Sequence, residues 1–349
     1  MRRNIKALSL FSGGLDSILA TRIVMSQGVD VVAVQFVTPF FNYHILDDID
    51  GYREKVRSKY GINVKVVDIS TDYLELLRNP VHGFGKNFNP CIDCKIHMFS
   101  RAKEMMAESG AKFLITGEVL GQRPMSQRRD TLNVIERDSG SRTILLRPLS
   151  AKLMVETEAE REGWVNRDQL LDFSGRGRSS QIRLAKKYGI TDFPAPAGGC
   201  ILADPILSRR VSQLYSENSI LKPAEITTTD VRLLLVGRQF VFPGGGWLIL
   251  GRDEGDNDKL EILAGPDDAL LWMKERPGPL ALLRRAGRWY TGKEEMEKDL
   301  ILAASLVVRY GKKIGGTRPP GEVTCTLKIS SRIITADPLE DKVFKDWML

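Results

Sequence analysis

Residues 5–11 are apolar enough for a buried strand. A glycine-containing loop follows, and then Leu15, Leu19 and Ile23 recur at i, i+4 spacing, which predicts a helix that Gly28 ends. Val31 to Phe36 is a second apolar run of strand length. A polar helix is expected over roughly 47–60, stopped by Gly61, and Val64 to Ile69 is a third strand. Ala102 to Ala107 sits in another helix, ended by Gly110, and Phe113 to Thr116 is a fourth strand. Strands alternating with helices imply an α/β fold with a parallel sheet and right-handed crossovers. In such sheets ligands bind at the carboxyl ends of strands, which is where the Ser12 loop lies.

The texture changes along the chain. Residues 164–210 are basic and glycine-rich: Ser174-Gly175-Arg176-Gly177-Arg178 reads as a loop, and Ala195-Pro196-Ala197-Gly198-Gly199-Cys200 as a rigid turn carrying a cysteine. After about residue 222, Val231 to Val236, Phe240 to Phe242 and Trp247 to Leu250 read as short strands broken by Gly237 and Gly244-Gly245-Gly246. A helix is expected from Lys293 to Tyr310, and Val323, Cys325, Leu327 and Ile329 alternate with polar residues as a half-buried strand. This predicts a smaller α+β domain over residues 222–349, after a first domain over 1–205.

The 349 residues are long enough for two cores, and 42% hydrophobic content argues for a globular fold. Lys and Arg outnumber Asp and Glu by 51 to 44, which suits a polyanionic partner without demanding one. No apolar run approaches the length of a membrane span. The N-terminal apolar stretch is too soon punctuated by glycine for a signal peptide, so a cytoplasmic protein is expected.

Ser12-Gly13-Gly14-Leu15-Asp16-Ser17 joins a strand to a helix. Glycines let backbone N–H groups approach a phosphate, and the helix N-terminus adds partial positive charge. Ser12 and Ser17 hydroxyls can donate to phosphate oxygens, while Asp16 makes sense as a ligand for Mg²⁺ carried by a triphosphate. An ordinary glycine turn is the plain alternative. The full string, however, resembles the loop of the PP-loop ATP pyrophosphatases, which split ATP into AMP and pyrophosphate. The lysine-containing loop of kinases and GTPases is absent.

Four cysteines occur, and a reducing compartment disfavours structural disulfides among them. Cys91 and Cys94 form a C-x-x-C pair after Pro90, at an expected helix start beside Lys95, which should lower thiol pKa. They read as a redox pair carrying a persulfide, or, with Cys200, as three ligands of a [4Fe–4S] cluster with one open iron. Two buried small residues are the bland alternative. Zinc would want a fourth ligand, for which His97 is the nearby candidate, although His97 reads as a helix-surface residue. Cys325 reads as core.

Phe113 to Gln127, with Thr116-Gly117-Glu118 and Gly121-Gln122 leading to Ser126-Gln127, is followed by Thr131-Leu132-Asn133 and Arg147-Pro148-Leu149. With Ser12 to Ser17 and Cys91-x-x-Cys94-Lys95, residues 5–205 resemble the catalytic domain of the 4-thiouridine tRNA synthases, the ThiI family. The resemblance implies a Rossmann-like sheet of the adenine nucleotide alpha hydrolase type and an ATP- and Mg²⁺-dependent RNA sulfurtransferase acting on tRNA. It implies adenylation of a nucleobase carbonyl, with Asp16, Cys91 and Cys94 as catalytic residues. Ser12, Gly13, Gly14, Asp16, Ser17, Thr116, Gly117 and Gln122 would contact the nucleotide, and Gly121, Ser126 and Gln127 would lie near it or the acceptor base. Cys91, Cys94 and Cys200 would bind a cluster where one is used. The sulfur donor would be a cysteine desulfurase or free sulfide.

The family normally carries RNA-binding domains, including THUMP, before the loop, whereas here the loop begins at residue 12. Val236-Gly237-Arg238, residues 250–258, Pro277-Gly278-Pro279 and Ala303-Ala304 resemble the NFACT-R domain, so the C-terminal domain is the expected RNA-binding substitute. Arg123, Arg128, Arg129, Arg176, Arg178, Arg183, Lys186 and Lys187 could line a backbone-binding face. The rival functions are a PP-loop ligase or amidotransferase acting on a small molecule, and a non-catalytic RNA-binding or sulfur-trafficking protein. The first usually needs an amide-hydrolysing domain, which the sequence does not show; the intact Asp16 and loop serines argue against the second.

Overall fold

A computed structural model describes residues 5–195, 199–216, 219, 221 and 225–349. Pro196, Ala197 and Gly198, within the expected rigid turn, lie outside the described residues. The chain divides into two compact units, residues 1–204 and 205–349.

Unit 1 is built on five parallel strands: β1 (Lys6–Leu10), β2 (Asp30–Val37), β3 (Asn63–Asp68), β4 (Phe113–Thr116) and β5 (Leu145–Leu146), in the order β3-β2-β1-β4-β5. This is the expected Rossmann-like sheet. Helices α1 (Leu15–Met25), α2 (Ile49–Tyr60), α3 (Ser70–Leu76), α4 (Cys91–Ser109) and α5 (Arg129–Asp138) connect the strands, and α6 (Glu158–Arg161) and α7 (Ser179–Lys187) follow. Both faces of the sheet are covered. Ala7, Phe113 and Ile115 pack with α1 residues such as Leu19 and Ile23, while Leu8, Val34 and Leu114 pack with Phe99 and Ala102 of α4. Burial on both sides explains why these strands read as continuous apolar runs. The two-residue β5 is too short for periodicity to reveal.

Unit 2 starts with α8 (Pro205–Leu214) and α9 (Thr228–Leu234) and carries β6 (Arg238–Val241), β7 (Trp247–Leu250), α10 (Glu254–Leu263), β8 (Ala269–Met273), β9 (Ala281–Arg284), α11 (Ala286–Trp289), α12 (Lys293–Tyr310), β10 (Gly321–Leu327), β11 (Ser330–Ala336) and α13 (Asp341–Phe344). Its six-stranded antiparallel sheet has the order β11-β10-β8-β9-β7-β6, with Leu300, Ala303, Leu306 and Val307 of α12 in its core. Two expectations are corrected. Val231 to Leu234 is helical, because Thr227 and Asp230 form a capping box. Ile329 lies outside β10, fully exposed beside Lys328, whose φ of 56° turns the chain into β11. The buried face of β10 is Val323 and Cys325.

Candidate functional site

The unit 1 sheet grows outward from β1 through β2 and β3 on one side and through β4 and β5 on the other. The crevice outside the carboxyl ends of β1 and β4 is therefore its switch point. Two loops leave there. In the first, Gly13 takes a φ of 74°, and the Ser17 hydroxyl donates to the Gly14 carbonyl at 2.8 Å. The backbone N–H and hydroxyl of Ser12 both point at Ser17 Oγ, each 3.3 Å away. The serines thus brace the loop, and no side chain caps the first turn of α1. Open amides on glycine-rich backbone suit an anion.

Asp16 sits in this turn. Its Oδ2 accepts from Gln122 Nε2 at 3.0 Å, and its Oδ1 is buried without a hydrogen-bond partner. Burial raises the Asp16 pKa, opposed by the Gln122 hydrogen bond and by the charges of Arg178 and Arg123. A buried carboxylate oxygen without a donor fits a cation, the role expected of Mg²⁺.

The second loop follows β4. Gly117 lies so near α1 that a Cβ there would come 2.5 Å from Asp16 C and Ser17 N. Gly117 thus serves close approach between the two loops. Thr116 is buried beside it. Gly121, with φ 74°, donates its N–H to Gln127 O at 2.7 Å, and Leu120 N bonds Ser150 Oγ at 3.0 Å. Ser126 and Gln127 are buried, Gln127 Oε1 without a partner. An open cavity of about 640 Å³ adjoins this loop, lined by Leu120, Gly121, Arg128, Arg129, Asp130 and Asn133.

Glu118 is buried and pairs with both Lys95 and Arg147, and Arg147 also pairs with Glu136. This network ties α4, the β4 loop, the end of β5 and α5 together. It also turns Lys95 toward Glu118, and Cys94 and Cys200 depart from expectation for a separate reason, their burial. Burial pushes the Cys94 thiol up to about 12, against a hydrogen bond from Tyr73 and a weaker effect of Lys95. Burial likewise raises Cys200, against a Leu202 backbone hydrogen bond. The helix start does not make Cys94 a thiolate, because desolvation outweighs it.

Cys91 opens α4 and Cys94 lies in its first turn. Cys91 and Cys200 both act electrostatically on Cys94, and Cys91 acts on Cys200, so the three share one neighbourhood. Asn87 helps gather them: its Nδ2 donates to Ala203 O at 2.7 Å, joining the segment before Cys91 to the turn after Cys200. His82 anchors that segment through Asp93 at 3.1 Å and Asp138 at 3.0 Å. Among the described residues no group of three or more His, Cys, Asp or Glu side chains is drawn closely enough to hold a metal. The donor set thus suits an iron–sulfur cluster in kind, while the thiols are not gathered around a metal position. His97 is half-buried with Nε2 unpartnered, not a surface residue. Cys325 is buried in unit 2, as its alternation predicts.

The exposed Arg123 acts on both Asp16 and Cys200, linking the phosphate loop to the thiols. Sequence reasoning did not find Tyr73, Asn87 or Gln181, since their spacing carries no signal. Arg147 is visible as part of Arg147-Pro148-Leu149, but its buried partners are not.

Residues 3–157 match the family model of the thiamine biosynthesis protein ThiI, and residues 237–348 match that of the NFACT protein RNA binding domain. Each match covers less than half of the chain, the first lying within unit 1 and the second within unit 2. A protein named probable tRNA sulfurtransferase in Methanothermobacter thermautotrophicus is 29% identical over 198 residues, 56% of this chain and 43% of that protein. One of the same name in Thermococcus kodakarensis is 26% identical over 135 residues, 38% of this chain and 34% of that one. The chain therefore spans less than half the length of these relatives. Among solved structures, a 4-thiouridine synthetase–RNA complex with bound ATP overlaps at a TM-score of 0.37 and 24% identity, covering 53% of this chain and 41% of that one. The U34-tRNA thiolase NcsA from Methanococcus maripaludis, with its [4Fe–4S] cluster, overlaps at 0.34 and 21% identity, covering 66% and 73%. No helix among the described residues is long and apolar enough to cross a membrane.

Proposed function

We propose that this protein is an ATP-dependent tRNA sulfurtransferase of the cytoplasm. The observation that carries the proposal is the meeting of a glycine-rich phosphate loop, with an unpartnered Asp16 oxygen, and three neighbouring thiols, with Arg123 acting on both. The ThiI match and the tRNA sulfurtransferase relatives support the same reading.

The chemistry has two steps. A uracil carbonyl oxygen is a poor leaving group, so it first attacks the α-phosphate of ATP and releases pyrophosphate. The α1 amides hold phosphoryl oxygens as that charge develops. Asp16 would hold a Mg²⁺ ion, which would neutralise triphosphate charge. A sulfur then bonds to the activated carbon, and the C–O bond breaks as AMP departs with the oxygen. Arg123 lies where it favours both the departing phosphate and an anionic sulfur near Cys200. Cys91 and Cys94 would carry the sulfur by one of two routes. One is as a persulfide passed on from a desulfurase, whose outer sulfur bonds to the carbon while the other cysteine breaks the S–S bond and a Cys91–Cys94 disulfide is left for an external thiol to reduce. The other is, with Cys200, on a cluster that would take sulfide directly with no change in the oxidation state of the sulfur. Unit 2 would hold the RNA.

Purified protein should convert ATP to AMP and pyrophosphate in the presence of tRNA and sulfide, and a thionucleoside should appear by mass spectrometry. Asp16→Asn should slow AMP formation by about a hundredfold or more. A gene deletion that leaves every thionucleoside in bulk RNA, with purified protein forming no AMP, rejects the proposal. Anaerobically purified protein should contain iron and sulfide that Cys200→Ala loses and Cys325→Ala keeps. Iron-free protein that is active with a desulfurase and cysteine would leave the persulfide route.

A further inference from the structure

The segment from Ser174 into α7 lies beyond the ThiI match, yet it is built into the switch-point crevice. Ser174 pairs with Leu120 in a parallel bridge, and Gly175 N donates to Leu120 O at 2.8 Å. These contacts dock the segment on the β4 loop, and α7 packs along α1. Arg178 and Gln181 thereby come to act on Asp16.

Gln181 is 1% exposed; its amide approaches the Asp16 carboxylate and helps to hold its pKa down, yet neither Nε2 nor Oε1 closes a well-formed hydrogen bond. Arg178 Nε is buried and unpartnered as well, as is Asp16 Oδ1. An unsatisfied buried amide is costly, and a packing role would be served better by Leu or Met. Gln181 reaches toward Asp16, which leaves Arg178 Nε as an unpaired donor and Gln181 Oε1 as an unpaired acceptor, with Asp16 Oδ1 lacking a full partner. A phosphate with its hydrated cation offers the complement, with oxygens for the donor and water protons or metal for the acceptors.

We propose that Arg178 and Gln181 form the third wall of the nucleotide site and bind the pyrophosphate portion of a nucleoside triphosphate with its cation. The inference rests on the nucleotide reading of the loop. It places the binding residues on a segment far along the chain from Ser12. It also assigns the leaving group to α7 and leaves the adenosine to other parts of the crevice.

The test is calorimetric titration of the full chain, without RNA, using Mg²⁺–ATP, pyrophosphate and AMP, alongside thermal unfolding. Arg178→Met and Gln181→Met should each weaken ATP and pyrophosphate binding by about tenfold, the loss of a hydrogen bond to a charged group. AMP binding should be unchanged, and Arg178→Lys should recover part of the loss. The Tm of ligand-free Gln181→Met should equal or exceed that of the wild type, since an unpaired amide is removed. Unchanged ATP and pyrophosphate affinities in both Met variants overturn the inference, as does an equal loss for AMP. A fall in Gln181→Met Tm with affinity intact shows a packing role and overturns it too. A wild type that binds neither ATP nor pyrophosphate overturns the nucleotide reading and this inference with it, whereas intact wild-type binding with unaffected variants overturns this inference alone.

Discussion

Glu118 is buried and receives two cations, Lys95 and Arg147. Burial alone would raise its pKa; the two cations hold it below the ordinary carboxylate value. Glu118→Gln removes the charge that both need, while Arg147 keeps only Glu136. Breaking one member of a buried pair costs about 3 kcal/mol, because the survivors stay desolvated. Urea unfolding of Glu118→Gln should show that loss, and a change near zero would mean that water reaches the cluster. Asp16 and the Ser12 loop were legible in sequence because strand, loop and helix are contiguous there. The partners of Glu118 were not: Lys95 and Arg147 stand 23 and 29 positions away, on separate elements. Spacing carries information only within an element, which is also why Tyr73 was missed beside Cys94.

Among the elements, the approach of the β4 loop to α1 governs the crevice. Gly117 permits it, since any Cβ would meet backbone atoms of Asp16 and Ser17 that cannot rotate away. Gly117→Ala should push the β4 loop from α1, move Gln122 off Asp16, and weaken ATP binding by more than about tenfold, a loss of roughly one well-placed hydrogen bond. Gly177→Ala is the control, with nothing within 4 Å of its added Cβ. Equal affinity in both variants would show that the loops adjust freely. The same scale shows where apolar pattern misleads. Val231 to Val236 is a short apolar run, and such a run suits a strand or a buried helix alike. The Thr227–Asp230 capping box decides for the helix, a signal outside the apolar pattern. The parallel strands β1 to β4, in contrast, were legible because short continuous apolar runs are separated by helical stretches that Gly28, Gly61 and Gly110 end.

At the scale of the molecule, charge is divided unequally. Residues 1–204 hold 29 Lys and Arg against 24 Asp and Glu, and residues 205–349 hold 22 against 20. Unit 2 is thus almost neutral, and many of its cations are engaged: Arg284 and Arg285 both pair with Asp230, and Arg332 pairs with Glu297. Counterion release follows the number of phosphates neutralised, so the salt-dependent part of tRNA affinity should come chiefly from unit 1. Replacing Arg128, Arg129 and Arg176 together by Gln should lower the slope of log affinity against log salt by about 2, at roughly 0.7–0.9 for each phosphate that is no longer neutralised. Replacing Lys312, Lys313 and Lys345 by Gln should change it by less than about 1. Filter binding of full-length variants to tRNA between about 50 and 200 mM salt reads both slopes. A larger drop for the unit 2 set would place the phosphate-binding cations on unit 2 and leave the unit 1 arginines as solvated surface. A drop for the unit 1 set alone would leave unit 2 to recognise RNA through shape, stacking and neutral hydrogen bonds, terms that salt does not weaken.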